Sequence, residues 1–370
     1  MTLSALVRYV RTATFTAALA GLAIAAIPSP GFAQDYDARE RDASPQIRNL
    51  LSELRQNIER NGYEYTVGYT EALDHPLDEI AGLVMPSERE LLGLMRRQNA
   101  LAAELEELKS RFVVSDRCRG LTMSSRASGL ASFDWRSQGG VTPMRSQGGC
   151  GSCWAFAAAA AYESSSVLRS GTSGLDISEQ HMVSSCSDAG SCRGGSFIPV
   201  FEHYLTEGTV GEGTFRYQPA NSSCPNLSSF PYRALNWGYA GAKRAVPTIR
   251  ETKLAIAGHG PVAVGVRATA AFQAYTGGVF DESDSRRPNH AVAIIGWSDQ
   301  RGAWLIKNSW STLWGENGYM WIDYDANSIG YAAAWVDARP SCLVLAEEYD
   351  RLANAATTKY YGEREMNMRR

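Results

Sequence analysis

The chain has little excess charge and ordinary numbers of cysteine and glycine. Its 370 residues carry 36 Lys and Arg against 39 Asp and Glu, a net charge of −3, which argues against the basic surface that nucleic-acid binding requires. Seven Cys and 34 Gly indicate neither a small disulfide scaffold nor a fibrous repeat. Apolar residues make up 44% of the chain, so disorder throughout is excluded and roughly two or three folded units are expected.

Long apolar runs are absent beyond the N-terminal region. There, Arg8 and Arg11 precede the apolar residues 13–27, and the small residues Gly31 and Ala33 stand at the two positions that a signal peptidase reads. This pattern is typical of a secretory signal peptide, predicted as residues 1–33. A membrane anchor is the weaker interpretation, because about 15 apolar residues fall short of the roughly 20 that span a bilayer. We expect a mature chain with no stable membrane anchor in an oxidising compartment, secreted or periplasmic, or lysosome-like in a eukaryote.

Apolar residues at helical spacing predict a small helical unit after the signal peptide. One helix begins after Ser44, and a second begins with the capping box of Ser87 and Glu90. Residues 34–111 therefore form the helical unit. Residues 112–129 show little periodicity and predict an exposed linker and processing region. The candidate processing sites in it are Arg117, Arg119 and Arg126.

The residues from 130 to 338 have a different composition, with frequent Gly, Trp and Tyr. A helix of small residues is predicted at 154–169, and short strands are predicted at 262–266 and 291–295. This combination indicates a mixed α and β domain of catalytic size. The remaining residues, 339–370, are predicted to be a polar C-terminal tail or one surface helix.

Cys150 and Cys153 stand at the start of the small-residue helix. A thiol at a helix N-terminus feels the positive end of the helix dipole, which favours the thiolate. A C-x-x-C motif there is typical of a redox dithiol, of half a zinc site, or of a nucleophile beside a structural cysteine. The zinc interpretation is disfavoured because the five His are isolated from one another. We expect no metal and no other cofactor.

A thiolate nucleophile needs a base, a group that orients the base, and donors for the developing oxyanion. His290 stands at the head of an apolar strand, and Asn308 follows a second strand. Gln147 lies six residues before Cys153. The sequence therefore offers each group that nucleophilic catalysis by Cys153 requires.

The motifs around these residues resemble those of the papain family of cysteine peptidases, and they occur in the family's order. The resemblance covers roughly residues 130–338. The motifs are QGGCGSCWAF at 147–156, the His290 strand, NSW at 308–310 and WGENGY at 314–319.

The resemblance implies an α+β fold with two lobes, a helical left lobe and a β-barrel-like right lobe, preceded by an N-terminal helical pro-region. It implies that Cys153 is the nucleophile, that His290 carries the proton and that Asn308 orients His290. Gln147 is implied to donate to the oxyanion together with the backbone N–H of Cys153.

The chemistry of these residue types supports the same roles. In a thiolate–imidazolium pair, Cys153 and His290 would stabilise each other's charge, so we expect a preformed ion pair. Attack on a peptide carbonyl would give an acyl-enzyme that water resolves. The predicted activity is that of a cysteine endopeptidase made as a secreted zymogen.

The resemblance also assigns substrate-binding residues. Gly194 and Gly195 match the glycine strip that binds the substrate backbone. Trp314 is also assigned as a substrate-binding residue. Phe197, Gly265 and Ala291 are implied to line the second subsite, with its floor near Asp337. Ser311 and Leu313 depart from the family pattern near the rim of the cleft.

Family pairing implies two disulfides in the catalytic domain, Cys150–Cys192 and Cys186–Cys224. Spacing alone allows three connectivities for four Cys and does not choose among them. Whether Cys118 and Cys342, which flank the domain, pair with each other stays open.

Residues 65–80 are similar to the family's inhibitory propeptide, although Thr70 and Ala72 depart from its pattern. This similarity implies that residues 34–111 pack on the enzyme and send the chain through its cleft. The alternative is that they form an accessory binding domain. The expected partners are peptide or protein substrates and the chain's own pro-region, and we expect a monomer.

Two other classes of function stay open at this point. A catalytically inactive relative would bind peptides without cleaving them. A thiol–disulfide oxidoreductase would use Cys150 and Cys153 as a reducible pair. A transferase is a further variant, in which an amine resolves the acyl-enzyme in place of water.

Overall fold

The computed structural model describes residues 36–112, 128–171, 174–340 and 346–368. The predicted signal peptide lies outside these residues, as do the candidate processing sites at Arg117, Arg119 and Arg126. Cys118 and Cys342 lie outside them too, so their pairing stays open.

The helices and strands of the described residues alternate irregularly along the chain. The α-helices are α1 (Tyr36–Arg41), α2 (Pro45–Asn61), α3 (Leu77–Ile80), α4 (Glu88–Lys109), α5 (Cys153–Ser170), α6 (Glu179–Val183), α7 (Phe197–Thr206), α8 (Ile249–His259), α9 (Ala270–Ala274) and α10 (Ala346–Met368). The strands are β1 (Tyr65–Val67), β2 (Ser132–Asp134), β3 (Gly190–Ser191), β4 (Gly194–Gly195), β5 (Ala234–Tyr239), β6 (Val262–Val266), β7 (Tyr275–Phe280), β8 (His290–Ser298), β9 (Ala303–Lys307), β10 (Tyr319–Asp323) and β11 (Tyr331–Ala338).

Most of the strands join one mixed sheet. Its order is β1-β7-β10-β9-β8-β6-β11-β5, and β2 pairs with β8 outside this path. Strand β8 is buried along its whole length, which agrees with its nearly continuous apolar sequence. It pairs with β6 so that His290 lies opposite Val266 and Ala291 opposite Gly265.

Helix α5 is almost completely buried. Its run of alanines, with no bulky polar side chain in it, allows the helix to be buried from Cys153 to Leu168. It packs on β8, β11 and α7. The helix ends at Gly171, whose φ of 65° lies in the left-handed region that glycine adopts without strain.

The segment before the catalytic domain packs on it at several places. Strand β1 pairs with β7, with Tyr65 opposite Gly278, and so extends the sheet by one strand. Thr70 and Ala72, which depart from the family pattern, are both buried. The Thr70 hydroxyl donates to the carbonyl of Gln273 at 2.6 Å, so the departure supplies its own contact.

The C-terminal residues form helix α10, one of the two forms predicted for the tail. The helix packs on α4 and buries part of its length. Its buried side chains are Tyr349, Ala353, Ala356, Thr357 and Tyr361.

The predicted place of Asp337 at the floor of the second subsite is wrong. Asp337 lies near the end of β11, fully buried, where it contacts Arg169, Lys109 and His259. At about 3.3 Å per residue, it is roughly 20 Å along the strand from Tyr331. Tyr331 is the residue of β11 that lies opposite Gly265.

We expect Asp337→Ala to lower the free energy of unfolding by about 3 kcal/mol, because it removes the buried carboxylate that pairs with Arg169, Lys109 and His259. The measurement is urea denaturation of the full chain at pH 7. Glu107→Ala removes a carboxylate from an exposed pair with Arg111 and should change stability by at most about 0.5 kcal/mol. Equal effects of the two substitutions would contradict the role given to Asp337.

Candidate active site

Cys153 is the first residue of α5 and is fully buried. Among the described residues it is the free cysteine, since the structure pairs Cys150 with Cys192 and Cys186 with Cys224. These are the two disulfides that the family resemblance implies. A redox dithiol between Cys150 and Cys153 is not formed here, because the sulfur of Cys150 is bonded to that of Cys192.

The register of β8 and β9 places Asn308 beside His290. Ala293 pairs with Lys307, so Asn308 follows at the next position, on the same face of the sheet as His290. The Nε2 atom of His290 lies 2.8 Å from Oδ1 of Asn308. Because this oxygen also accepts from the N–H of Ser309, it is the acceptor, and Nε2–H donates to it.

The Trp310 ring covers this hydrogen bond. Its centroid lies 4.4 Å from that of His290, with 31° between the planes. Both residues are buried, so water is kept from the contact with Asn308. With Nε2 held in this way, the other ring nitrogen of His290, Nδ1, is the one left for Cys153.

The side-chain amide nitrogen of Gln147 makes two hydrogen bonds. Nε2 donates to the carbonyl of Ile80 at 2.9 Å and to that of Cys150 at 2.6 Å. Oε1 accepts from the Ser309 hydroxyl at 2.7 Å, which fixes the direction of the amide. Ser309 is a positioning residue that the sequence reasoning missed, and its only signal was its place next to Asn308.

An extended peptide segment from the chain's own N-terminal region lies across the glycine strip. The N–H of Gly195 donates to the carbonyl of Gly82 at 2.9 Å, and the carbonyl of Gly195 accepts from Val84 at 2.8 Å. Leu83 lies between them in a parallel bridge with Gly195. Gly82 has no room for a side chain, because an added Cβ would lie 1.9 Å from the carbonyl oxygen of Gly151.

The side chain of Leu83 fills the predicted second subsite. A Cβ added to Gly265 would lie 3.0 Å from Cδ2 of Leu83 and 3.3 Å from Cβ of Tyr331. Ala291 lies opposite Gly265 in the ladder. Phe197 is fully buried at the start of α7. The pocket therefore holds an aliphatic side chain.

Three further residues singled out from the sequence are Trp314, Ser311 and Leu313. Trp314 is fully buried against Trp310, and its Nε1–H donates to the carbonyl of Phe272 at 3.1 Å. The Ser311 hydroxyl donates to the carboxylate of Glu71, whose own N–H donates to the carbonyl of Leu313. Both departures at the cleft rim thus contact the N-terminal segment.

Burial sets the charge state of the pair. Desolvation raises the pKa of the Cys153 thiol to about 11, although nearby backbone N–H groups of Ala291 and Gly82 act to lower it. Desolvation lowers the pKa of His290 to about 4, against the opposing effects of Asn308 and the Ile80 carbonyl. In this covered form both groups are neutral at pH 7, so the preformed ion pair expected from the sequence is not favoured.

Comparisons with known proteins agree with this geometry. The family described as "Papain family cysteine protease" matches residues 130–337. The chain is 32% identical to the senescence-specific cysteine protease SAG12 of Arabidopsis thaliana over 74% of this chain and 77% of that one. It is 35% identical to Peptidase 1 of Dermatophagoides pteronyssinus over 67% of this chain and 72% of that one. A solved procathepsin L2 from the larval midgut of Tenebrio molitor, 26% identical, covers 82% of this chain and 98% of its own, with a TM-score of 0.58.

The chain therefore belongs to the papain family of cysteine proteases and is a hydrolase. The predicted family and the predicted α+β fold are confirmed. None of the helices in the described part of the chain is long and apolar enough to cross a membrane.

We expect alkylation of Cys153 by iodoacetamide in the uncut chain to be slow at pH 7 and to rise about tenfold per pH unit from pH 6 to 9. The reason is that the thiolate fraction grows in this way below a pKa near 11. Mass spectrometry of the Cys153 peptide gives the rate. The control is the same protein after removal of the N-terminal segment, which should react faster at pH 7. A fast rate in the uncut chain that does not change between pH 6 and 8 would contradict the neutral pair.

Proposed function

We propose that the chain is the secreted zymogen of a cysteine endopeptidase, with Cys153 as nucleophile and His290 as general acid and base. The observation that supports it most is the peptide segment 80–84, which is bound along Gly195 and whose Gly82 backbone contacts the Cys153 thiol. A groove that holds an extended chain in this way fits a peptide substrate.

The proposed reaction starts when the segment leaves the cleft and water reaches the pair. Hydration then favours the thiolate of Cys153 and the imidazolium of His290. The sulfur attacks the carbonyl carbon, and the oxyanion accepts hydrogen bonds from Gln147 Nε2 and the Cys153 N–H. His290 gives its proton to the leaving amine as the C–N bond breaks, which leaves a thioester.

Hydrolysis of the thioester completes the cycle. His290 takes a proton from a water molecule, whose oxygen attacks the thioester carbonyl. The C–S bond breaks, the acid product leaves and the thiolate is restored. Throughout, the Asn308 amide holds the ring of His290 in one orientation, and Ser309 does the same for Gln147.

The N-terminal segment is proposed as the inhibitor because it uses the groups that catalysis needs. The Ile80 carbonyl accepts the hydrogen bond that Gln147 would give to the oxyanion. Leu83 fills the second subsite. The solved procathepsin L2 of Tenebrio molitor, 26% identical to this chain, supports a zymogen.

An open groove supports endopeptidase activity. The segment contacts one rim of the groove through Glu71 and the other through Met85, whose carbonyl accepts from Arg287 at 2.6 Å. A continuous chain therefore passes through the whole groove, as a protein substrate would. The two disulfides support an oxidising compartment, which agrees with the predicted signal peptide.

We expect the chain lacking its signal peptide to convert itself at acidic pH, and Cys153→Ala to remain uncut. In the converted enzyme, Gln147→Ala should lower kcat/KM by about 10²–10³, the usual loss for one oxyanion donor. N-terminal sequencing detects conversion, and a fluorogenic peptide reports activity. Identical fragments from wild type and Cys153→Ala would show that another protease makes the cut.

We expect Leu83→Asp to open the groove in the uncut chain, because an ionised carboxylate is disfavoured in the pocket that Leu83 fills. A thiol-directed epoxide should then label Cys153 at pH 7 at least about tenfold faster than in wild type. The matched control is Val84→Asp, at a neighbouring side chain that is 59% exposed, where the rate should stay within about twofold. Equal labelling rates in both variants would contradict the proposal that the N-terminal segment is the inhibitor.

A further inference from the structure

Helix α4 is buried more deeply than helices α1 and α2. Helix α2 buries one residue of 17, and α1 buries none. Helix α4 buries six of 22. Four of them, Leu91, Met95, Leu101 and Leu105, belong to the core that contains Trp154, Phe201 and Trp237. The six residues are Leu91, Met95, Gln98, Leu101, Ala102 and Leu105.

The polar side chains of α4 satisfy the backbone of β5, the strand at the end of the sheet. Nε2 of the buried Gln98 donates to the carbonyl of Trp237 at 2.8 Å. Asn99 accepts from the N–H of Tyr239 at 2.8 Å and donates to its carbonyl at 3.2 Å. From β5, the side chain of Asn236 donates to the carbonyl of Ala102 at 2.8 Å. Loss of α4 would leave these buried groups without their partners.

Helix α10 packs on α4 and also contacts β5, since the Tyr349 hydroxyl donates to the carbonyl of Leu235 at 2.5 Å. The Tyr361 hydroxyl donates to Gln98, and Lys359 pairs with Glu104 at 2.8 Å. Tyr349 packs edge to face on Phe112, just beyond α4, with ring centroids 5.4 Å apart. Helix α4 thus packs against both β5 and the C-terminal helix.

The boundary between the groove segment and α4 is also marked locally. The Ser87 hydroxyl accepts from the N–H of Glu90, and the Glu90 carboxylate accepts from the N–H of Ser87 at 3.0 Å. This capping box closes the start of α4 without help from earlier residues. A cut ahead of Ser87 would leave this capping box and the contacts of α4 with β5 and α10 in place.

We propose that α4 is a permanent part of the active enzyme and that activation cuts the chain ahead of Ser87. This rests on the proposed function, and it replaces the expectation that all of residues 34–111 leave after cleavage within 112–129. The released inhibitor is then the segment that ends before Ser87, and residues 87–370 stay together. Keeping α4 avoids exposing the apolar face that it covers on β5 and α10.

The first test is the N-terminus of the active enzyme. The full chain lacking its signal peptide is incubated at acidic pH until activity on a fluorogenic peptide is constant, and the active species is isolated by native size exclusion. We expect its first residue between 84 and 87, with α4 in the same chain. An active species that begins within 112–129, with α4 eluting separately, would overturn the proposal.

The second test measures the active enzyme's thermal midpoint. Leu101→Ala, at a fully buried position, should lower it by about 5 °C or more, and Arg96→Ala, at an exposed position of the same helix, should not change it. If α4 is discarded, both variants give the same active enzyme as wild type. Equal midpoints in all three would therefore overturn the proposal.

A third measurement does not depend on activity. In the uncut Cys153→Ala chain, the amides of α4 should exchange with solvent as slowly as those of β5, and those of α2 should exchange faster. Exchange of α4 together with α2 would overturn the proposal. If the proposed function is wrong, no variant shows activity that depends on Cys153. The hydrogen-exchange rates of α4 and α2 can be interpreted in that case too.

Discussion

The site depends on the register in which β8 pairs with its two neighbours. On one side, β6 places Gly265 opposite Ala291, and this pair opens the pocket that Leu83 fills. On the other side, β9 brings Asn308 to the face of His290. A slip by one residue would turn every side chain of β8 to the opposite face. The base and the second subsite are therefore fixed by the same ladder, and neither can move without the other.

Access of water decides what this arrangement does. The covered groove favours a neutral thiol and a neutral imidazole, since neither charge is solvated there. The same cover occupies Gln147 through the Ile80 carbonyl. In the proposed zymogen, latency would thus have two parts: the segment blocks the groove, and it also disfavours the charge separation that the proposed nucleophile requires. Displacing the segment would restore both at once, with no rearrangement of α5 or β8.

The catalytic residue types could be predicted because a thiol nucleophile requires them and the motifs keep them in order along the chain. Helix α5 and strand β6 could be predicted from residue spacing alone. Asp337 could not be placed in this way. The resemblance put it near the pocket, but it lies at the opposite end of β11 from Tyr331, where Arg169 and His259 pair with its carboxylate. Ser309 acts through Gln147, 162 residues away in sequence, and such a contact leaves no local pattern.

Helices α4 and α10 show the same limit on a larger scale. Both carry many charged residues, because each buries only one side. Such a charge pattern is typical of a helix at the protein surface. They meet across more than 200 residues of chain, through pairs such as Tyr361 and Gln98. The sequence order groups α4 with the inhibitor, whereas its contacts group it with β5 and α10. Contacts determine what can leave a folded protein, so the proposed boundary lies at Ser87, where the capping box begins α4, and not at the linker, where the composition changes.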